Sequence, residues 1–433
     1  MSTVITTKSL SEIIGSFSPG QEATESRKQA IQILEAKGLP AGKNEEYRFT
    51  PITRAIENVF TWKTENSPAE INSIDQFLIE GLDANVVVFV NGKFSTSLSK
   101  IISPANEIKI KSLREAFSSD SELVNSYFNK FVSPETDSFA ALNTAFWQDG
   151  LFIHVPANTS VEKPLLLLHI NDAAQAQVIA HTRLLAIVEA RSKLSVIEKF
   201  NTLGDQASLH TFSEEIEVKE NAALEYCKIQ NDGGKAYQVI NTNIRQADSS
   251  RVDTFTITLS GQIVRNNFTI TIAGEKCESH FNGLYMLNSN TLGDNHTVVD
   301  HQKPNSFSNE MYKGVLDGNS KGVFNGKIFV RPNAQKTNAF QSNRNIALSP
   351  SSTINTKPQL EIWADDVKCS HGCTIGQLDE EAMFYLQSRG IDKTTAQAMM
   401  LYAFTAETLN TISNETVKNY VDALISERLH KNF

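Results

Sequence analysis

At 433 residues, 40% hydrophobic and 21% charged, the chain has the composition of a soluble globular protein and is too long for one ordinary core. Its net charge of -9 argues against general nucleic-acid binding, which needs a basic surface. No apolar run approaches the roughly 20 residues that cross a bilayer, the N-terminus MSTVITTKSLSEIIGSF lacks a secretory pattern, and four cysteines form no disulfide framework, so a reducing, cytoplasmic setting is expected.

Residues 1–80 read as an N-terminal helical domain. Ala23 to Lys37 carries apolar residues near helical spacing and stops at Gly38, with Pro40 just beyond. NEEYRFTP (44–51) follows, then a short helical pattern through Ile56 and Val59, and a polar linker around Ser67-Pro68. Residues 81–376 form the core domain and are dominated by short strand patterns rich in Val, Ile, Thr and Phe. Examples are VVVFVNGKF from Val86, LLLLHI from Leu165, DTFTITL from Asp253 and QLEIWADDVKC from Gln359. No regular helix is expected between them, which argues against a doubly wound sheet. Turns at 190–193, 220–223, 247–250 and 273–276 interrupt the strands at a period of roughly 26 to 30 residues, within the range of stacked repeats. One such unit cannot bury its apolar face alone, so the pattern favours a β-helix or related solenoid, with a large sandwich as the alternative. The glycines at 314, 318, 322 and 326 fall where turns between coils are expected, and no Gly-Lys-Ser/Thr follows them as in a phosphate loop.

Residues 377–433 read as a C-terminal helical domain. Asp379 is a plausible N-cap, Glu380 and Glu381 suit the first turn, Phe384, Tyr385 and Leu386 occupy the second, and Arg389-Gly390 closes the helix. Helices over about 394–405 and 415–429 complete a small bundle packed mostly on itself, with a docking surface on the β body as its further use.

Where the core meets this bundle, Cys369, His371 and Cys373 alternate along a strand pattern and share one face. Two thiols and an imidazole are soft ligands for iron, copper, zinc or an iron–sulfur cluster; the rival reading makes the cysteines small core hydrophobes. Three ligands do not close a structural metal site, so the remainder would come from elsewhere. Cys227 and Cys277 lie inside strand patterns and read as core. His296 and His301 with Asp294 or Asp300 form a weaker candidate for a two-histidine, one-carboxylate iron site, against a role in ordering a turn. Glu361, Asp365 and Asp366 are either oxygen ligands to incoming iron or simply solvated and capping groups.

The segments YKGVLDGNSKGVFNGKIFV, AQKTNAFQSNRNIALS and LEIWADDVKCSHGCTIGQLDEEAMFYLQSRGI resemble the SufB/SufD family of iron–sulfur cluster assembly proteins. NEEYRFTPI near the N-terminus resembles the same family, and KCSHG followed by TIGQLDEE is similar to its SufD branch. The Cys-x-x-Cys-like run of the SufB branch is absent here. The resemblance implies a right-handed parallel β-helix (solenoid) core between helical ends, a mainly β fold in agreement with the pattern above. It implies a non-enzymatic scaffold that pairs with a SufB-like subunit as a heterodimer, binds a SufC-like ATPase and completes a transient iron–sulfur cluster at the subunit interface. By that resemblance His371 and Cys369 are the metal-site residues. Cys373 departs from the small residue expected there. Leu378, Phe384, Tyr385, Leu386, Arg389 and Gly390 are expected to face the partners. The resemblance leaves open whether reduced flavin joins the complex and whether the free chain is a homodimer. Two rivals from other classes are a β-helix enzyme acting on polysaccharide and a purely structural partner that binds no metal.

Overall fold

The computed structural model describes residues 14–15, 22–41, 44–60 and 71–432; the expected Ser67-Pro68 linker lies outside them. The strands of the described residues are β1 (Asn85–Val90), β2 (Lys93–Phe94), β3 (Lys109–Ser112), β4 (Asp149–Val155), β5 (Leu165–Asp172), β6 (Val178–Val188), β7 (Lys193–Leu203), β8 (Ser208–Val218), β9 (Ala223–Asn231), β10 (Ala236–Gln246), β11 (Arg251–Ser260), β12 (Ile263–Ile272), β13 (Glu278–Leu287), β14 (Leu292–His301), β15 (Phe307–Leu316), β16 (Lys321–Val330), β17 (Asn338–Ala347), β18 (Thr353–Ile362) and β19 (Lys368–Gly376).

Odd and even strands separate into two sheets. The first runs β19-β17-β15-β13-β11-β9-β7-β5-β1-β2 and the second β18-β16-β14-β12-β10-β8-β6-β4-β3. Each coil thus gives one strand to each wall and pairs in parallel with the coil before it, for example Asn241↔Asn267↔His296↔Asn325 across β10, β12, β14 and β16. This is the parallel β-solenoid expected from the sequence.

The periodic turns build the stack. Arg191, Asn221, Ser249 and Lys276 all have φ between 56° and 58°, and Asn158, Asn305 and Lys336 extend the series in both directions. In this left-handed conformation each exposes its amide to the next coil. Arg191 N donates to Glu220 O, Asn221 N to Asp248 O and Ser249 N to Glu275 O, each at 2.8–2.9 Å. The spacing therefore marks real coil junctions, although only three of these seven residues are the asparagine that tolerates positive φ best.

Strands in the middle of the stack carry apolar residues on both faces because both faces are covered there. On β1 the inward Val87 and Phe89 join the solenoid interior, while Val88 packs outward. The helices Thr24–Lys37 and Ile52–Val59, with Ser138–Phe146, cover the outer face of the even-strand sheet through Ala30, Leu34, Ile52, Ile56, Phe139 and Phe146. The C-terminal helices Lys393–Leu409 and Glu415–Asn432 lie along the odd-strand sheet, burying Leu401, Leu409, Val417, Val421, Ile425 and Leu429. They form a layer on the β body rather than a bundle closed on itself.

Two further differences from the sequence reading have physical causes. Three short helices, Leu113–Ser119, Ser121–Tyr127 and Ser138–Phe146, interrupt the strands where no helix was expected. Of the four glycines read as coil turns, only Gly318 (φ 60°) sits in one. Gly314, Gly322 and Gly326 lie inside β15 and β16. A Cβ at 326 would stand 2.3 Å from Gln341 Nε2, so the missing side chain admits a neighbour rather than a bend.

Candidate functional site

The last coil, β18 and β19, has no further coil stacked on it, and neither strand is pure surface or pure core. Alternation places Cys369, His371 and Cys373 on the face that continues the solenoid interior, in register with Ala339, Gln341 and Asn343 of β17. Those three β17 residues are buried, at 0%, 3% and 0% exposure. One coil later the same column meets solvent: Cys369 is half-buried against the core, and His371 and Cys373 are exposed. Burial raises the Cys369 thiol pKa, with a backbone hydrogen bond from Ala339 as a smaller opposing influence.

Strand geometry limits what these three groups do together. Alternate residues stand about 7 Å apart along a strand, so Cys369 and His371 are near enough to share one ion, whereas Cys369 and Cys373 are about 13 Å apart at the backbone. The set is therefore open, offering one or two ligands to any single metal. Among the described residues no group of three or more His, Cys, Asp and Glu is arranged to hold a metal ion.

Around this column the open end exposes large apolar side chains among charged ones. Ile362, Trp363 and Ile375 are 40%, 48% and 52% exposed. Trp363 stacks at 6.3 Å on Phe329, and the Arg331 guanidinium covers both rings while pairing with Asp300. The adjoining helix Glu380–Ser388 is capped by the Asp379 carboxylate, which accepts from the amides of Glu381 and Ala382. It has no fully buried residue, and Phe384 and Tyr385 are 73% and 57% exposed. Leu378 and Leu386 are half-buried, and Arg389 and Gly390 are exposed. Glu361, Asp365 and Asp366 are exposed as well.

The other candidates separate from this end. His296 and His301 point to opposite faces of β14, because they stand an odd number of positions apart. His296 faces outward to Glu46 and Asp294, at 3.2 and 3.1 Å; His301 is inside, 2.9 Å from Ser308. The two-histidine iron site is thus ruled out by alternation. Cys227 and Cys277 are buried, and burial pushes the Cys227 thiol up to about 12, leaving it inert.

NEEYRFTP proves to be a staple. Asn44 caps a single helical turn at Glu45–Tyr47, Glu46 pairs with His296 and Lys327, and the Arg265 guanidinium lies 4.2 Å over the Tyr47 ring. Its Thr50 hydroxyl donates to Asp294. The hydrogen bond from His296, helped by Lys327, holds the Glu46 carboxyl down at about 2 against the opposing effect of its partial burial.

Sequence reasoning did not find the buried charges of the interior. Lys228 Nζ lies 2.6 Å from Glu214 and 3.0 Å from Glu198, Tyr226 donates to both carboxylates, and His169 sits 3.0 Å from Glu198. A lysine or glutamate at an inward strand position was the available signal.

Comparison with known proteins finds family matches between residues 18 and 404. A sequence model described as "SUF system FeS cluster assembly, SufBD core domain" matches residues 169–404, and one for the SufBD N-terminal region matches residues 18–167. The iron–sulfur cluster assembly protein SufD of Escherichia coli is 30% identical, covering 95% of this chain and 94% of its own length. A SufBD family protein of Synechocystis is 29% identical over 93% of this chain and 90% of its own, and the SufD protein of Bacillus subtilis 25% identical over 71% of each. With its matched core spanning the solenoid and the KCSHG strand at its open end, this chain belongs to the SufBD family of the iron–sulfur cluster assembly system.

Proposed function

We propose that the chain is a non-enzymatic scaffold subunit whose open solenoid end pairs with a SufB-like subunit, and that an iron–sulfur cluster is completed across the junction. The observation that carries this reading is the pair of long parallel edge strands, β18 and β19, ending a stack with unfilled backbone hydrogen-bonding capacity and exposed Ile362, Trp363 and Ile375. Long apolar edges are templates for another strand, and a second solenoid end of the same geometry fits them by β-augmentation. In the absence of a sister subunit, a second copy of the chain occupies the same edge as a homodimer.

The cluster is cargo in this scheme. His371 supplies an imidazole and Cys369 a thiolate, and cysteines of the sister subunit complete the coordination. The exposure of His371 and the open ligand set favour this over a closed structural site. Phe384 and Tyr385, with Leu378, Leu386, Arg389 and Gly390, form the docking surface for a SufC-like ATPase. Movement of that ATPase reaches the open end through the short link from β19 into Glu380–Ser388. Domain boundaries near residues 80 and 376 fit this division of labour.

The test is co-expression with SufB-like and SufC-like proteins, followed by anaerobic reconstitution read by visible absorption. His371→Ala should leave the complex assembled and lower the cluster yield. Full yield from that variant sinks the ligand role, and a chain that captures neither partner sinks the scaffold reading.

A further inference from the structure

A cavity of about 620 Å3 lies on the outer face of the even-strand sheet, between that sheet and the N-terminal segment. Its floor is two rows of outward-facing side chains on β10 to β16. One is the row of Asn241, Asn267, His296 and Asn325; the other begins with Asn243 and Thr269. Its roof is the chain leaving the helix Thr24–Lys37, with Leu39 and Pro40, and the loop that carries Phe131 and Val132. The Lys37 ammonium joins the two roof pieces by donating to the Glu135 carbonyl at 2.6 Å. Lys37, Glu135 and Thr136 are exposed, so the cavity opens to solvent along this rim.

The charges in the lining are taken up by the protein itself. Glu46 pairs with Lys327 and His296, and Arg265 with Asp294. Asp137 accepts from the Tyr47 hydroxyl and caps the helix Ser138–Phe146. What remains unspent is neutral. The half-buried Asn243 carboxamide and Thr269 hydroxyl have no hydrogen-bond partner among the described residues. Buried Asn325 keeps an oxygen, and buried Asn241 an amide nitrogen, without a partner. Beside these groups stand Val298, Leu39, Pro40 and Val132, whose side chains form no hydrogen bond.

We infer that this cavity binds an uncharged, polyhydroxylated molecule of the sugar class, its hydroxyls on Asn243, Thr269 and Asn325 and its C–H faces on the apolar side chains. A carboxamide both donates and accepts, as does every sugar hydroxyl, so the two kinds of group satisfy each other in either direction. A phosphorylated ligand finds no unpaired cation inside, since Lys37 stands at the rim, and a metal ion finds only carboxylates already engaged. The volume falls within the range of about 300–1,000 Å3 usual for small-molecule sites. A ligand there touches the solenoid, the N-terminal segment and the 131–138 loop at once, and so reinforces the Glu46–Tyr47 staple by mass action. The site is independent of the scaffold reading, because Cys369 and His371 belong to the other sheet.

Maltose and glucose are the probes, and saturation-transfer nuclear magnetic resonance on the full chain is the readout. Ring-proton signals from at least one of them should report binding with a Kd of about 1 mM or below. Asn243→Ala should weaken that binding at least about 10-fold and Thr269→Val several-fold. Thermal midpoints of both variants should match wild type, because neither side chain has a hydrogen bond to lose, and His371→Ala should bind sugar as wild type does. Absence of transfer from both sugars, or transfer that Asn243→Ala leaves unchanged, overturns the site. Displacement of the sugar by equimolar inorganic phosphate overturns the uncharged class. None of these outcomes alters the cluster-yield experiment on His371, which tests the scaffold reading separately.

Discussion

At its N-terminal end the solenoid finishes in β2 and β3, two and four residues long and antiparallel to their neighbours; at its C-terminal end it finishes in β18 and β19, ten and nine residues long and parallel. Short, reversed edges under helices are how proteins stop a sheet from recruiting another chain. Long, flat, uncovered edges do the opposite. The interiors differ in the same sense. Near the first coils His169 is stacked at 4.7 Å on Phe200, with its pKa lowered to about 3 by burial, and every neighbouring carboxylate is paired. Near the last coils the buried Glu310 carboxyl has no Lys, Arg or His beside it among the described residues and is held by Gln341, which donates to it at 2.7 Å. Under the scaffold reading, one end is finished by the chain itself and the other from outside.

Four substitutions break or sharpen this contrast. Lys228→Met should be the most damaging to the fold, because it strands two buried carboxylates; a loss of about 3–5 kcal/mol is expected in denaturant unfolding. Glu310→Gln should do the reverse. The folded carboxyl holds its proton up to about pH 7 whereas the unfolded one releases it near its ordinary 4.5, so wild-type stability falls as pH rises through that window. The variant lacks this loss, and its advantage over wild type should grow from pH 5 to pH 8 and level off near ~3 kcal/mol, read from thermal midpoints. A flat difference across that range removes the unpaired carboxyl from the contrast. Ile375→Asp places a charge on the open end and should weaken pairing with a SufB-like subunit about 30- to 100-fold, some 2–3 kcal/mol, by calorimetric titration, while the isolated chain unfolds as before. His371→Ala, at an exposed position, should change the stability of the isolated chain by no more than ~0.5 kcal/mol; a loss of 2 kcal/mol would make that imidazole a structural residue.

The repeat was readable in sequence because coil junctions recur whether or not they contain glycine. Ser249 and Lys276 adopt the same left-handed turn as Asn221, which shows that spacing rather than residue type carried the signal. The alternation of Cys369, His371 and Cys373 fixed their common face, and Asp379 marked the following helix. The helix Leu113–Ser119 was overlooked although Ser112 and Glu115 have capping-box spacing and the Ser112 side chain does accept from the Glu115 amide. At seven residues it is too short for periodicity to speak. The strand glycines misled because glycine has two uses, turning the chain and admitting a neighbour, and only the three-dimensional position of Tyr285 or Gln341 tells them apart. The pairing of Glu310 with Gln341 was illegible for a similar reason. The two are 31 residues apart, and nothing local says that their side chains meet across neighbouring coils.

The left-handed turn residues also make the length of the protein adjustable. Because each such residue donates its amide to the turn of the following coil, a cut from one to the next, such as Ser249 to Lys276, removes a whole coil and brings two equivalent junctions together. An engineer can thus shorten the rod by one cassette while leaving the open end, with β18 and β19, unaltered.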